Sequence, residues 1–426
     1  MAYIGIDIGT TGICVTKVAA DGEVLETRHA ANDAVMHVDQ PFARLQDPTR
    51  IETIVRSLLQ SMLADTDGIG ISCQMHGILY VDRSGRAVSP LFTWQDGRGA
   101  MKDTDGESFA AKAHAYAGYG YATHLYNTAH GLVPDDAEKL CSIGDYLAMR
   151  LCEVPSPLTH ITNAASFGAF DLKTGTFDRQ DALLPAVTAA FAQVGTFHRI
   201  PVYIAVGDNQ AGFIGSVSDS DCALVNVGTG SQISVLSDRP SSHESLETRP
   251  FDGSRFLLAG CALCGGRAFA DVVRFLSDCA VMMTGSKVSD AYRAVDAALA
   301  AYDGPSLDVD TRFAGTRSDP ARCGAINGIR EDRLTPQALL RGTLRGIANE
   351  LYDMYAQSGV NVKRLVLAGN GVRKNPYLRA AIESVFDLPT RVPVFLEEAA
   401  FGAALTAMIG DGVVDLAGAG ALIRYE

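Results

Sequence analysis

The chain has 426 residues, of which 47% are hydrophobic and 20% are charged, a composition typical of a globular protein with more than one domain. Acidic residues outnumber basic ones by 49 to 36, and the net charge of −13 argues against a nucleic-acid or anionic-membrane partner. We find no apolar run of membrane-spanning length and no secretory signal, and the nine cysteines are scattered and odd in number, so we expect a cytoplasmic protein with reduced thiols.

The opening stretch, residues 3–18, predicts two strands joined by a tight polar turn, because alternating isoleucines precede the turn and a second apolar run follows it. Asp7 lies inside the first strand. An unpaired carboxylate buried there is strongly unfavourable, so Asp7 must meet water, hydrogen-bond donors or a cation. The turn offers backbone N–H groups and two hydroxyls suited to a phosphate, and its residues are Gly9, Thr10, Thr11 and Gly12. The alternative is a β-hairpin whose glycines serve only the turn.

The segment that follows alternates strands with a helix. An Asp21-Gly22 turn leads into a strand at 23–28, and Asp47-Pro48 begins a helix with apolar residues at helical spacing. Strands at 68–73 and 78–82 then flank a polar insertion at 74–77. This alternation predicts an α/β fold.

Residues 99–201 have a looser pattern of helices and polar connections, with a helix predicted at 142–152. We interpret this region as an insertion that shapes a pocket. A strand at 201–206 then runs through the sequence Gly-Asp-Asn-Gln-Ala-Gly, residues 207–212, into a helix.

A second hairpin at 223–235 repeats the plan of the first, with a turn made of Gly228, Thr229 and Gly230. The repetition predicts a duplicated domain with a phosphate loop on each side of a cleft, and we place the two domains at 1–212 and 213–426.

Three further elements are predicted in the second half. A helix begins at Pro336 and ends before Gly359, and an alanine-rich helix at 398–408 closes the chain. A strand at 362–368 leads into the sequence Gly-Asn-Gly at 369–371, the position at which an open α/β sheet usually binds its ligand.

Six motifs, taken together and in order, resemble those of the FGGY carbohydrate kinases. They are the two glycine hairpins, Gln-Met-His-Gly at 74–77, Trp-Gln-Asp-Gly-Arg at 94–98, and the segments 207–212 and 369–371. The resemblance implies two ribonuclease-H-like domains of the actin-like ATPase superfamily, flanking a catalytic cleft that binds ATP and Mg²⁺. It also implies that the N-terminal domain binds most of the sugar and that the C-terminal domain binds ATP.

Within the family, residues 70–77, 93–98, 118–123, 144–146 and 163–166 are most similar to the sedoheptulokinases. This similarity implies transfer of the γ-phosphoryl group of ATP to a terminal hydroxyl of a ketose, with sedoheptulose as the substrate. Another specificity such as xylulose stays open, because xylulokinases share the Gln-Met-His-Gly element. A non-catalytic nucleotide- or sugar-binding regulator is an alternative of a different class, and the retention of Asp208 and both phosphate loops disfavours it.

The resemblance also assigns roles. Asp208 becomes the candidate catalytic base, and Asp7 and Asp208 the candidate Mg²⁺ ligands, although the pattern alone allows Asp208 to be a helix N-cap and Asp7 a structural carboxylate. The sugar-binding candidates are Gln74, Met75, His76, Trp94, Asp96, Arg98, Asp145, Asn163, Asp208 and Asn209. The ATP-binding candidates are Gly9, Thr10, Thr11, Gly228, Thr229, Gly230, Gly369, Asn370, Gly371 and Asn375.

Two of these candidates have an equally simple structural interpretation. His76 is assigned only to binding, because a single histidine is more often a hydrogen-bonding structural residue, and Trp94 could pack in the core instead of lining the pocket. The expected partners are a small-molecule sugar and ATP, with no nucleic acid and no membrane, and the expected assembly is a monomer or a homodimer.

Overall fold

The computed structural model describes residues 1–241, 243–317, 319 and 321–426. These residues form two compact units. Unit 1 comprises Met1–Ser218, Arg249–Arg255 and Glu397–Ile423, and unit 2 comprises Asp219–Thr248, Phe256–Leu396 and Arg424–Glu426. Each unit contains a six-stranded mixed sheet with helices packed on it, as the predicted α/β class requires.

The sheet of unit 1 is formed by β1 (Ala2–Ile8), β2 (Gly12–Ala19), β3 (Val24–Ala31), β4 (Gly68–Cys73), β5 (Gln193–Phe197) and β6 (Ile200–Gly207). Its strand order is β5-β6-β4-β1-β2-β3. The first three strands pair antiparallel, whereas β1, β4 and β6 run parallel to one another. The carboxyl ends of these three central strands therefore meet at one edge of the sheet, which is where ligands bind in open α/β sheets.

The helix Glu398–Gly410 belongs to unit 1, although it lies near the end of the chain. It packs directly on β1 and β4: a Cβ at Gly5 would lie 1.8 Å from the Ala400 carbonyl oxygen, and one at Gly70 would lie 1.8 Å from that of Ala403. Only glycine permits so close an approach. The predicted single boundary between residues 212 and 213 is corrected accordingly, because the sheet of unit 1 is covered by a helix from the far end of the chain.

The sheet of unit 2 is formed by β7 (Cys222–Val227), β8 (Ser231–Ser237), β9 (Leu246–Pro250), β10 (Phe256–Ala262), β11 (Arg364–Ala368) and β12 (Thr390–Arg391), in the order β9-β10-β8-β7-β11-β12. Its main helices are Gly266–Thr284, Ala291–Ala300, Pro336–Gln357 and Pro376–Phe386. The shorter elements of this unit are Asp308–Asp310, Ala325–Asn327 and Asn370–Lys374.

The helices of unit 1 begin where the sequence places their caps. Asp47 accepts a hydrogen bond from the Thr49 N–H at the start of helix Pro48–Leu59, and Ser142 forms a capping box with Asp145 at the start of helix Ile143–Cys152. The other helices are Arg98–Ala100, Phe109–Lys112, Gly120–Ala129, Ile161–Ser166, Asp208–Ile214 and Leu416–Ala421. The short strands are Val35–Met36, Leu45–Gln46, Leu79–Val81, Leu91–Phe92, Lys139–Cys141, Leu158–His160, Phe170–Asp171, Thr176–Phe177 and Ala186–Thr188.

Among the residues that the structure describes, no helix is both long enough and apolar enough to cross a lipid bilayer. The predicted closing helix extends from Glu398 to Gly410, and a further short helix, Leu416–Ala421, follows it. The alanine-rich helix is therefore not the last element of the chain.

Candidate active site

Asp7 and Asp208 are brought to the same edge of the unit 1 sheet by strand register. In the parallel pair of β1 and β4, Asp7 lies opposite Ser72. In the parallel pair of β6 and β4, Val206 lies opposite Ser72 and Gly207 lies opposite Cys73, so Asp208 follows directly at the end of β6. The structure thus brings together two carboxylates that are about 200 positions apart in the sequence.

The electrostatics of this pair are those of two partly buried like charges. Burial and then the charge of Asp208 raise the pKa of Asp7 to about 7, although a hydrogen bond donated by Ser72 Oγ to Asp7 Oδ1 at 2.8 Å acts in the opposite direction. Burial also raises the pKa of Asp208, and the positive charge of Arg249 partly offsets it. Two neighbouring carboxylates, one of which raises the pKa of the other, are a donor set that fits a hard dication such as Mg²⁺.

Asp208 is the first residue of the helix Asp208–Ile214, and the N-cap is Gly207. The interpretation of Asp208 as an N-cap is therefore wrong. Gly207 packs closely on Met75, since a Cβ there would lie 2.7 Å from Met75 Sδ. The Gly207 N–H donates to Thr162 Oγ1 at 3.1 Å. Backbone N–H groups at the start of this helix, those of Asp208 and Asn209, nevertheless favour the ionised form of the Asp208 carboxylate.

Arg249 is a site residue that the sequence did not reveal. It lies in the return segment, residues Arg249–Arg255, which belongs to unit 1 although the chain on either side belongs to unit 2. Arg249 is buried, and its Nη1 lies 4.0 Å from Met75 Sδ. No motif surrounds it, so its position beside Asp208 follows only from the path of the chain.

The first predicted phosphate loop is held by side chains from four other segments. Asn32 donates from Nδ2 to the Gly9 carbonyl at 2.9 Å, and Gln46 donates from Nε2 to the Thr10 carbonyl at 2.8 Å. Thr10 Oγ1 accepts a hydrogen bond from Trp94 Nε1 at 2.9 Å and donates to Gln74 Oε1 at 3.2 Å. Thr10 therefore links the loop to two of the predicted sugar-binding residues.

Gln74 and Trp94 differ in solvent exposure. Gln74 is buried and donates from Nε2 to Gln46 Oε1 at 2.8 Å, so its amide orients the loop. Trp94 is 43% exposed and remains available to a ligand, although its indole N–H is already bonded to Thr10. Met75 is buried between Gly207 and Arg249.

His76 is held in an unusual backbone conformation, with a φ of 74°. Its N–H donates to Ser166 Oγ at 3.0 Å and its Nδ1 donates to the Ser166 carbonyl at 2.9 Å. Its ring stacks on Tyr119 with 4.3 Å between centroids. Non-glycine residues adopt positive φ infrequently, and these contacts hold the His76 imidazole in a fixed orientation.

Four predicted sugar-binding residues are buried, and all their side-chain polar atoms except Asp145 Oδ1 have partners inside the fold or lie next to groups that do. Asp96 and Arg98 are 1% and 4% exposed, and they form an ion pair with 2.7 Å between Asp96 Oδ1 and Arg98 Nε. Arg98 Nη1 also donates to Asn127 Oδ1, and Asp96 Oδ2 accepts from the Arg44 N–H. This pair fixes the loop that carries Trp94.

Asp145 and Asn163 are also inaccessible to solvent. Asp145 Oδ2 accepts from Thr159 Oγ1 at 2.9 Å and from the Ser142 N–H, and burial raises the pKa of Asp145 to about 7. Asn163 donates from Nδ2 to the Ala205 carbonyl at 3.1 Å. Asn163 thereby anchors the helix Ile161–Ser166 to β6, and its effect on a ligand is indirect.

In unit 2, the second predicted phosphate loop joins β7 to β8 and packs on two glycines that the sequence analysis missed. The N–H groups of Gly265 and Gly266 donate to the carbonyls of Thr229 and Gly228, each at 2.9 Å. A Cβ at Gly265 would lie 2.3 Å from the Gly230 carbonyl oxygen. In the sequence, this contact could have been predicted from the pair of glycines at the start of a long amphipathic helix.

The segment that follows β11 lies beside this loop. Asn226 of β7 pairs with Ala368 of β11, and Gly369, with a φ of 85°, has no room for a Cβ because Asn226 Oδ1 would be 2.4 Å away. Gly371 packs equally closely on the Val227 carbonyl, and Asn370 begins the helix Asn370–Lys374. The structure thus brings residues 228–230 and 369–371 together at one edge of the unit 2 sheet.

Asn375 differs from the other ATP-binding candidates. Its Oδ1 accepts from the Leu378 N–H at 3.0 Å and caps the helix Pro376–Phe386. The side chain therefore has a structural role that the sequence analysis did not assign.

Two family models match the chain. They are the FGGY family of carbohydrate kinases, N-terminal domain, over residues 2–189, and the C-terminal domain of the same family over residues 223–410. Among curated proteins, sedoheptulokinase of Mus musculus is 27% identical, with 96% of this chain and 97% of the relative covered. Xylulose kinase of Escherichia coli (strain K12) is 24% identical, with 87% and 82% covered.

Solved structures share the fold. Xylulose kinase from Lactobacillus acidophilus has a TM-score of 0.84 at 19% identity, covering 100% of this chain and 92% of that one. Plasmodium falciparum glycerol kinase with ADP has a TM-score of 0.79 at 17% identity, covering 100% and 93%. The two-domain architecture described above is therefore that of known sugar and polyol kinases.

Proposed function

Because this chain belongs to the FGGY family of carbohydrate kinases, we propose that it transfers the γ-phosphoryl group of ATP to a terminal hydroxyl of a ketose, with sedoheptulose as the preferred substrate. The observation that carries the proposal is the Asp7–Asp208 pair at the carboxyl ends of β1 and β6. The substrate preference is supported by the motifs at 70–77, 93–98 and 163–166 and by curated sedoheptulokinases that align over nearly the whole chain.

Asp208 acts as the base in this proposal. Its carboxylate orients the reacting sugar hydroxyl and accepts its proton as the phosphoryl group is transferred, while most of the rate acceleration comes from alignment and charge stabilisation. Burial raises the pKa of Asp208, and the positive charge of Arg249 partly offsets this rise by favouring the ionised form. Arg249 is therefore a positioning and tuning residue for the base.

Asp7 and Asp208 would hold the metal ion, directly or through water. A bound Mg²⁺ supplies charge neutralisation for the phosphate oxygens. The nucleotide phosphates would meet backbone N–H groups of the loops at 9–11 and 228–230, and the adenosine would meet the segment 369–371. The glycines of these segments leave the backbone exposed to such a ligand.

The sugar would contact His76, Trp94, Met75 and Asn209 in this scheme. His76 is presented by a constrained backbone, and Trp94 offers an exposed indole that suits the C–H face of a sugar. Gln74, Asp96 and Arg98 contribute by fixing the segments that carry these groups.

Xylulose is the second candidate substrate, favoured by the match to the Escherichia coli xylulose kinase. A panel of ketoses and polyols with ATP distinguishes the two by kcat/KM, measured as ADP formation. A clear preference for sedoheptulose is expected. A preference for xylulose would replace the substrate assignment, and ATP binding without ADP formation for every sugar would favour the regulator.

A further inference from the structure

Cys14, His29 and Glu397 form a cluster outside the residues assigned to catalysis. One ligand atom from each, a thiol sulfur, an imidazole nitrogen and a carboxylate oxygen, lie within 4.8 Å of one another. Cys14 and His29 are direct cross-strand partners in β2 and β3, and Glu397 immediately precedes the helix Glu398–Gly410. The register of two strands and the docking of one helix therefore build the cluster.

The chemistry of the three donors selects a metal of intermediate softness. Thiolate, imidazole and carboxylate together are a ligand set for Zn²⁺, whereas Mg²⁺ takes oxygen ligands. Bond lengths of about 2.0–2.3 Å place the ligand atoms of a tetrahedral zinc site roughly 3.3–3.8 Å apart. His29 Nε2 and Glu397 Oε1 are already 3.8 Å apart.

Small movements complete such a site. The side chains of His29 and Glu397 are 56% and 41% exposed, so both can rotate at little cost, while the buried Cys14 provides a fixed ligand. Three protein ligands leave the fourth position to water, as in zinc sites that exchange their ligands.

We propose that Cys14, His29 and Glu397 bind a Zn²⁺-like cation and that this binding inhibits the kinase. The inhibitory part rests on the proposed function. Cys14 is the cross-strand partner of Asp7, so Asp7, Cys14 and His29 lie in a row on one face of β1, β2 and β3. A cation in the cluster places positive charge beside Asp7 and competes with the binding of Mg²⁺ there.

Coordination by Cys14 requires loss of its thiol proton to solvent, with no change in oxidation state. The sulfur keeps both electrons of the former S–H bond and donates a pair to the metal. Zinc binding by the wild-type protein therefore releases a proton.

The binding part is tested on the full chain freed of metal with a chelator. Zn²⁺ is titrated against a chromogenic zinc indicator, and Co²⁺ is used as a probe whose thiolate charge-transfer absorption reports a cysteine ligand. Cys14→Ser is expected to remove that absorption, and His29→Gln is expected to weaken Zn²⁺ binding by about tenfold or more. Cys323→Ser and His37→Gln, which change an exposed cysteine and an exposed histidine elsewhere, serve as matched controls.

Equal zinc affinity in wild type, His29→Gln and Cys14→Ser would overturn the site. A thermal unfolding scan of each variant separates a lost ligand from a lost fold, and His29→Gln, which changes an exposed side chain, keeps the test available if Cys14→Ser unfolds.

The inhibitory part is tested by sugar-dependent ADP formation at limiting Mg²⁺. Wild type is expected to lose activity on addition of Zn²⁺, and His29→Gln is expected to keep its basal turnover and lose zinc sensitivity. Zinc that binds through the cluster without altering the Mg²⁺ dependence would overturn the coupling. A protein that phosphorylates no sugar would contradict the proposed function, while the binding measurements would still decide the site.

Discussion

Gly402→Ala tests whether the helix Glu398–Gly410 fixes the position of Asp208. A Cβ at Gly402 would lie 1.8 Å from the Ala211 carbonyl oxygen, in the helix that begins at Asp208, whereas real Cβ atoms essentially never come within 3.0 Å of another heavy atom. One helix must therefore move by at least about 1 Å, because close-packed backbone cannot absorb the overlap.

The expected cost follows from two opposing terms. Overpacking destabilises by about 1–3 kcal/mol or more, and replacing glycine by alanine in a helix returns up to about 1 kcal/mol. We expect a net loss of roughly 1–2 kcal/mol in the free energy of unfolding, and a fall in kcat because the Asp208 carboxylate is displaced.

Gly212→Ala is the matched control, since Gly212 lies in the short helix Asp208–Ile214 and a Cβ there meets nothing within 4 Å. Urea denaturation followed by tryptophan fluorescence reports unit 1, because Trp94 is the single tryptophan of the chain. The control should be as stable as wild type or more so. A Gly402→Ala variant with wild-type stability and turnover would refute the packing described here.

Three further predictions concern the site itself. Because the pKa of Asp7 is raised to about 7, Mg²⁺ affinity should fall as the pH drops from 8 to 6. Asp208→Asn removes a repulsive charge and should therefore move this fall to lower pH. A titration of Mg²⁺ binding at several pH values would measure both effects. Arg249→Met should move the acidic limb of the pH–kcat profile to higher pH, because Asp208 loses the charge that favours its ionised form. An acidic limb at the wild-type pH would contradict the effect of Arg249 on the pKa of Asp208. His76→Ala should raise the KM for sugar about tenfold or more with little change in the KM for ATP, and an equal rise in both would place His76 outside sugar binding.

The local elements were predictable because their signals are local. β4 has the predicted bounds, Gly68–Cys73, since β-branched residues are followed by a polar insertion, and helix Pro48–Leu59 begins at the predicted cap. Both hairpins form as predicted because apolar strands flank glycine turns. Asp7 and Asp208 were assigned to one site by the family resemblance, and the structure places them at the same edge of the sheet because β1 and β6 both run parallel to β4.

The interactions that the sequence did not predict depend on how the chain folds. Asp96 and Arg98 are two positions apart in the sequence, and only the folded loop shows that they form an ion pair in the interior. Arg249 reaches Asp208 through a return segment that carries no motif. The helix Glu398–Gly410 is apolar on all sides, so the sequence indicates that it is buried but does not indicate which sheet it packs on.

The central claim is that Asp208 accepts the proton of the sugar hydroxyl during phosphoryl transfer. The direct measurement is kcat for ADP formation by wild type and Asp208→Asn with ATP, Mg²⁺ and sedoheptulose, with ³¹P NMR to identify the phosphorylated hydroxyl and circular dichroism to confirm folding. We expect a terminal phosphomonoester from wild type and a fall in kcat of about 10²–10⁴-fold in the folded variant. Wild-type-like turnover by Asp208→Asn would contradict the claim.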